Sequence, residues 1–340
     1  MTADGAAGPT GAPPKPGHVA IVGAGVIGAG WAARLRLKGI DVTVYDPSDM
    51  ADQVLGDVFE LATRAWHDLG AHGPVGTLAR RESIAAACDG ADVVIESVPE
   101  RLALKIDTYA EIESSVRPTT VITSSTSGFR PSALAAAMTA PERFLVAHPF
   151  NPVYLVPLVE LVGGPTTAAS VIDTMSDWLR RIGMHPLLVR REIDAHIADR
   201  LLEAMWREAL WLVNDGVATT AEIDDAIRYG FGLRMAQMGL FETYRIAGGE
   251  GGMRHFLGQF GDALTWPWTK LMDTPALTDE LVATIADQSD RQSGGHTIRE
   301  LERQRDRNLT QILLALEGNR WGAGLTLDDL RAPMAARTRT

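Results

Sequence analysis

Along the chain the apolar positions follow two spacings in turn. Short runs rich in Val and Ile come first: "HVAIVGAG" from His18, "DVTVYD" from Asp41, "ADVVIES" from Ala91, "TTVITSS" from Thr119 and "FLVAHPF" from Phe144. Between most of them lie longer stretches whose apolar residues recur at helical spacing. Strands alternating with helices predict parallel βαβ units and hence a doubly wound sheet. "LVELVGG" from Leu158 and "HPLLVR" from His185 supply two further strands that close this part.

After about Arg190 the helical period takes over. "IDAHIADRLLEAMWREALWLVNDG", from Ile193, predicts a helix stopped by Gly216. Thr219 and Glu222 have capping-box spacing for the next one. "TDELVATIADQ" from Thr278 and "RDRNLTQILLALEG" from Arg305 predict two more. The fold class is therefore α/β: an N-terminal doubly wound sheet followed by an all-helical C-terminal domain. The expected divisions are a tail at 1–17, the sheet domain at 18–192, the helical domain at 193–330 and a tail at 331–340. The opening "MTADGAAGPTGAPPKPG" is dense in Gly, Pro and Ala, which predicts disorder, and it has no apolar run of the signal-peptide kind.

Composition narrows the partners. At 340 residues the chain can bury two cores, and its net charge of -11 speaks against a nucleic-acid partner, which needs a Lys/Arg surplus on one face. Cys88 is the single cysteine, so an internal disulfide is impossible and a reducing cytoplasm is expected. No apolar run reaches the length of a membrane span. Metal binding is not expected either, because no close cluster of His, Cys and carboxylate ligands stands out.

"VAIVGAGVIGAG" sets Gly23, Gly25 and Gly28 directly after a strand and at the opening of a helix. The first glycine makes the turn, the second lets backbone approach a pyrophosphate, and the third lets helix and strand sit close. Gly23, Ala24, Gly25, Val26, Ile27 and Gly28 thus form the expected cradle, its anion facing the helix N-terminus. Asp46 ends the second strand, where a carboxylate can accept hydrogen bonds from the adenosine ribose. Its charge would repel a 2′-phosphate, and the following "PSDM" contains no arginine to receive one. The expected cofactor is NAD in a Rossmann-type domain.

In such a sheet, ligands sit beyond the carboxyl ends of the strands. "VITSSTSG" and "FLVAHPFN" both end there, which brings Ser127 and His148 toward the reacting end of the cofactor. Oxidising a secondary alcohol requires a base for the hydroxyl proton, and imidazole suits that task. Glu160, on the next strand, can hold the far ring nitrogen, and Ser127 can hydrogen-bond the substrate oxygen. Spacing alone leaves His148 open as a core histidine.

The ordered motifs G-x-G-x-x-G, Asp46, "ESVPE", "SSTSG", "HPFNP" and "PLVELVGG" resemble the 3-hydroxyacyl-CoA dehydrogenase superfamily, from His18 to about Leu316. That resemblance implies a His148–Glu160 catalytic pair. It matches Ser127 to a serine that touches substrate and cofactor, and Glu100, Lys105 and Asn151 to cofactor contacts. It also implies a homodimer joined through the helical domain. Taken singly, Glu100 and Lys105 read equally as a solvated helix face, and Asn151 as a turn residue.

Departures from the acyl-CoA members bear on substrate. The segment "ADQVLGDVFELATRAWHDLGAHGPVGT" has Arg64 as its one basic residue, a poor match for the phosphates of coenzyme A. Asp199 in "ADRL" stands where those members carry a substrate-contacting asparagine. "LFETYRIAGGEGGMRHFLGQFGDALTWPWTKLMD" resembles the bacterial L-carnitine 3-dehydrogenase branch. A trimethylammonium group cannot donate a hydrogen bond and is held by aromatic faces and nearby negative charge. Phe150, Tyr154, Phe241, Tyr244, Trp266 and Trp268 form the candidate pool for a cage, with Asp199 adding charge. The same aromatics read alternatively as core or interface residues, and Asp199 as a partner of Arg200 or Arg207. L-Gulonate 3-dehydrogenase, an acyl-CoA enzyme, and a non-catalytic NAD-binding protein stay open as readings.

Overall fold

The computed structural model describes residues 17–334 apart from 249, 251, 261–268, 270–275, 277 and 293–295. Trp266, Trp268 and, but for Gly17 and 331–334, the two expected tails lie outside the described residues. The sheet has eight strands: β1 (His18–Val22), β2 (Asp41–Tyr45), β3 (Leu78–Arg81), β4 (Val93–Glu96), β5 (Val121–Ser124), β6 (Phe144–Pro149), β7 (Leu158–Gly163) and β8 (His185–Val189). Their spatial order is β3-β2-β1-β4-β5-β6-β7-β8. Neighbours are parallel except β6 and β7, which are antiparallel. Seven strands coincide with the Val/Ile runs. The eighth, β3, reads "LARR" and carries no such run. Its place at the sheet edge explains this, since an edge strand tolerates and benefits from charge.

Helices α1 (Val26–Leu37), α2 (Ala51–Asp68) and α6 (Ala169–Arg181) contribute to one face of the sheet, and α3 (Ile84–Cys88), α4 (Leu102–Ser115) and the short α5 (Pro131–Leu134) to the other. The two-residue period of β1 shows why both faces are dry. Val19 and Ile21 pack with Trp31, Leu35 and Leu179, while Ala20 and Val22 pack with Tyr109 and Ile112. Each fully buried Val, Ile or Leu contributes roughly 1.5–3 kcal/mol.

The rest is helical: α7 (Ala198–Asn214), α8 (Thr220–Ala226), α9 (Gly232–Ala247), α10 (Gly252–Phe260), α11 (Asp279–Gln292), α12 (Ile298–Gly318) and α13 (Thr326–Arg331). Thr219 and Glu222 form the expected capping box, and Gly216 adopts φ 67° just past the end of α7. A second capping box, Thr297 with Glu300, starts α12 ahead of the expected Arg305. The helix expected from Ile193 begins only at Ala198, because Ala195 and His196 have left-handed φ of 59° and 49°.

Two compact units result. One comprises the residues to Ile197 with Asp306–Gln311 and those from Thr326 on, and the other Ala198–Arg305 with Ile312–Leu325. This division differs from a single boundary at 192/193, because late segments rejoin the sheet unit. Tyr154 donates its hydroxyl to Asp306 at 2.6 Å. Lys38 donates to the carbonyls of Asp329, Leu330 and Ala332, capping the end of α13. Among the described residues, no helix is long and apolar enough to cross a membrane.

Cys88, at the end of α3, is 1% exposed, and burial, with Glu111 nearby, pushes its thiol up to about 12. Thiolate is the reactive form, so the native thiol should resist iodoacetamide near neutral pH and react promptly in denaturant. Mass spectrometry of alkylated protein checks this; rapid native labelling would mean that α3 opens readily.

Candidate active site

The turn after β1 has the shape a dinucleotide needs. Gly23 lies at φ 102°, and a Cβ there would sit 2.5 Å from the Ser97 carbonyl oxygen. A Cβ on Gly28 would meet the Gly23 carbonyl oxygen at 1.8 Å, so the first turn of α1 closes onto the loop only through glycine. A Cβ on Gly25 would meet nothing within 4 Å, which leaves open space at the helix N-terminus. Gly25 offers no capping side chain, so the first-turn N–H groups of α1 are suited to an anion. Asp46 closes the lip, accepting from the N–H of Ala24 at 2.6 Å and of Ser48 at 2.8 Å. These features fit the pyrophosphate and ribose of NAD.

An arginine absent from the local "PSDM" reading does reach this turn. β3 pairs with β2, and Arg80 donates to the carbonyls of Asp46 (3.0 Å) and Ser48 (2.7 Å) and to Asp52 (3.1 Å). Two of these hydrogen bonds brace the turn and the third ties it to the start of α2. Only strand pairing reveals this neighbour.

At the end of β4, Glu96 is fully buried, although nothing in the local sequence marks it. Its carboxylate accepts from Lys105 Nζ at 2.8 Å, Ser124 Oγ at 2.7 Å, the Val98 N–H at 2.7 Å and the hydroxyl of Tyr109. Such complete pairing is what a buried charge requires. Lys105 is 1% exposed, and its ammonium also lies 3.3 Å from Glu100. Among the expected cofactor contacts, Lys105 is therefore enclosed, while Glu100 is part-exposed. Burial alone would raise the Glu100 pKa. Hydrogen bonds from Thr126 and the Gly128 N–H, with the Lys105 charge, outweigh it and hold the carboxyl below its ordinary value.

On β6 and β7, His148 lies directly opposite Glu160. His148 Nδ1 is 3.0 Å from Glu160 Oε2, and both side chains are almost wholly buried. The second oxygen, Oε1, accepts the Ile197 N–H at 2.9 Å. A carboxylate fixed at both oxygens sets the orientation of the imidazole. Phe150 packs on the His148 ring at 4.7 Å between centroids, and His196, unremarked in the sequence, lies at 5.6 Å.

The remaining expected residues divide. Ser127 and Asn151 are exposed, Ser127 just past β5 and Asn151 just past β6. Tyr154 is 3% exposed, with its hydroxyl on Asp306, so it is a packing residue here rather than an open aromatic face. In the helical unit, Phe241 is exposed and Tyr244 stacks on Phe256 at 4.7 Å. Asp199 lies in the first turn of α7, and Arg207 pairs with Glu203. Among the described residues no group of three His, Cys, Asp or Glu side chains could hold a metal ion.

Residues 18–193 match the family described as 3-hydroxyacyl-CoA dehydrogenase, NAD binding domain, and residues 196–284 match its C-terminal domain. An L-carnitine dehydrogenase/betainyl-CoA thioesterase of Agrobacterium fabrum is 58% identical over 322 residues, covering 94% of this chain. The chain spans only 66% of that relative. An L-carnitine dehydrogenase of Mesorhizobium japonicum is 51% identical over 323 residues, covering 93% of this chain and 89% of the relative. Among solved structures, the NAD+ dependent 5-formyl-3-hydroxy-2-methylpyridine 4-carboxylic acid 5-dehydrogenase matches with TM-score 0.77 and 30% identity, over 89% of this chain and 99% of its own. Matched in order by both family domains, with the glycine cradle and Asp46 at the expected strand ends, the chain belongs to the 3-hydroxyacyl-CoA dehydrogenase family.

Proposed function

We propose that the chain oxidises the 3-hydroxyl of L-carnitine to 3-dehydrocarnitine, using NAD. The observation that carries the chemistry is the buried His148–Glu160 pair at the carboxyl end of the sheet. The substrate rests on the printed names of the Agrobacterium and Mesorhizobium relatives. The second of these spans little beyond the present chain, which supports assigning the dehydrogenase rather than the thioesterase activity to it.

In this reading Glu160 holds His148 Nδ1, so Nε2 takes the hydroxyl proton and the buried carboxylate offsets the imidazolium charge that develops. Ser127 donates to the substrate oxygen. NAD, when bound, accepts the hydride. Gly23–Gly28 and Asp46 hold it, and Glu100, steadied by Lys105, Thr126 and Gly128, and Asn151 contact it. Phe150, beside His148, is the favoured aromatic for the trimethylammonium group, with Tyr244, Trp266, Trp268 and Asp199 as further candidates. We also propose a cytoplasmic homodimer paired through the helical unit. An apolar groove of about 170 Å³ lined by Leu202, Met205, Trp206, Leu210 and Ile223 supports this pairing.

The first test is NADH absorbance with NAD and, separately, L-carnitine, D-carnitine, L-gulonate and 3-hydroxybutyryl-CoA. L-Carnitine should be the preferred substrate; preference for gulonate moves the assignment to a sugar-acid oxidoreductase.

NAD should exceed NADP in kcat/KM by at least about a hundredfold, because a 2′-phosphate beside Asp46 should cost about 3 kcal/mol. Asp46→Ala should narrow the gap, mainly by weakening NAD. Equal use of both cofactors in the wild type contradicts the assignment.

His148→Ala and Glu160→Ala should each lose several orders of magnitude in turnover while still binding NADH by fluorescence. The double variant should lose little more than the worse single one, since the two act as a unit. Additive losses mean that they serve separate tasks.

Replacing the trimethylammonium by a neutral tert-butyl group should cost roughly 1–3 kcal/mol in kcat/KM, the scale of a desolvated cation–π site with nearby charge. Equal efficiency with the neutral analogue removes the cage.

A further inference from the structure

Residues 192–197 run as a strap past the loop that carries Ser127 and end on Glu160. Glu192 accepts the Ser132 N–H at 2.9 Å, and Asp194 pairs with Arg130 at 3.2 Å. Ala195 donates its N–H to the Gly128 carbonyl at 3.0 Å, and His196 Nε2 lies 3.4 Å from the Thr126 carbonyl. Ile197 donates to Glu160 Oε1 at 2.9 Å. The bonds to 126 and 128 bracket Ser127, and the bond to Glu160 fixes the carboxylate that orients His148.

The backbone adopts an unfavourable form to make these contacts. Ala195 and His196 are consecutive left-handed residues at φ 59° and 49°, a conformation that side chains with a Cβ rarely occupy. Such strain persists only where surrounding contacts over-determine it, and it clusters at functional sites. Here His196 is 0% exposed and packs beside the His148 ring. A side chain without a donor at this position would leave the Thr126 carbonyl without that contact.

We infer that His196 is a positioning residue of the dehydrogenase site: by anchoring the left-handed strap on the Thr126 carbonyl, it aims the Ile197 N–H at Glu160 and holds the Ser127 loop. It takes no part in proton or hydride transfer. The inference builds on the proposed roles of Ser127, His148 and Glu160 but not on the identity of the alcohol.

The test compares His196→Phe, which keeps ring volume but no nitrogen, with His196→Gln, which restores an N–H at the position of Nε2. A small misplacement of reacting groups costs about tenfold to a hundredfold, so His196→Phe should lose that much in kcat with L-carnitine while KM for NAD stays within about threefold. His196→Gln should recover most of the loss. In the protein without cofactor or substrate, proton NMR should show the downfield Nδ1–H of His148, assigned by its loss in Glu160→Gln. That signal should persist in His196→Gln and shift or broaden in His196→Phe.

Wild-type kcat and an unshifted signal in His196→Phe overturn the inference, as does a Gln variant as impaired as the Phe variant. Should His196→Phe fail to fold, His196→Leu, which also lacks a ring nitrogen, decides instead, and wild-type kcat with an unshifted resonance there overturns the inference. If the wild type oxidises no carnitine, the substrate reading fails while the NMR comparison still judges the strap.

Discussion

The reversal of direction between β6 and β7 is the constraint on which the site depends. In an antiparallel pair, directly opposed residues place their Cβ atoms about 4.5–5.5 Å apart on one face. That geometry puts Glu160 directly opposite His148. A register slip by one residue would turn every β7 side chain to the other face, driving Glu160 away from His148 and taking Val159 and Leu161 out of the core they now share. Apolar packing thus holds the polar pair in register. The connection after β6 is too short for a crossover helix, which a parallel neighbour would require.

Around this pair, Glu96, Lys105 and Arg34 carry charge out of water on several hydrogen bonds each. Glu96 and Lys105 are both buried, each satisfied by several partners, and together they steady Glu100 at the edge of the cofactor side. Arg34 is treated similarly within α1. It is 1% exposed and donates to the carbonyls of Val153, Ile182 and Gly183, and burial lowers its pKa to about 9. Those bonds pin the segment after His148 to the helix of the glycine cradle. Removing either partner of such a set leaves a buried group unsatisfied, which is more damaging than the net value of the bonds. The cradle and the His148 loop are therefore mechanically one piece.

Much was legible in the chain itself. Strands announced themselves through Val/Ile runs because burial on both faces demands them, and the glycine turn because only Gly fits at Gly23 and Gly28. His148 and Glu160 were legible through the order of motifs rather than through their own spacing. Other features were hidden for physical reasons. β3 is a charged edge strand, and Glu96 and Arg34 look like surface residues until their partners are known. Tyr154 looks like any aromatic near a site, yet its hydroxyl is committed to Asp306, 152 positions away. The capping box at Thr297 was visible in principle, as Thr followed by Glu three residues on.

Local and periodic signals determined the fold class, the glycine turn after β1, the helix caps at Thr219 and Gly216, and the residue types available for hydride chemistry. These follow from backbone sterics and from burial of one face at a time, which neighbouring residues suffice to encode. Tertiary structure alone decided the direction of β7, the approach of Arg80 to the Asp46 turn, and the return of Asp306 and α13 to the sheet unit. It also decided the left-handed strap, where helical apolar spacing from Ile193 is overridden at Ala195 and His196. There the hydrogen bonds to Thr126, Gly128 and Glu160 outweigh local propensity, because their acceptors are held by the loop after β5 and by β7, segments distant in the chain.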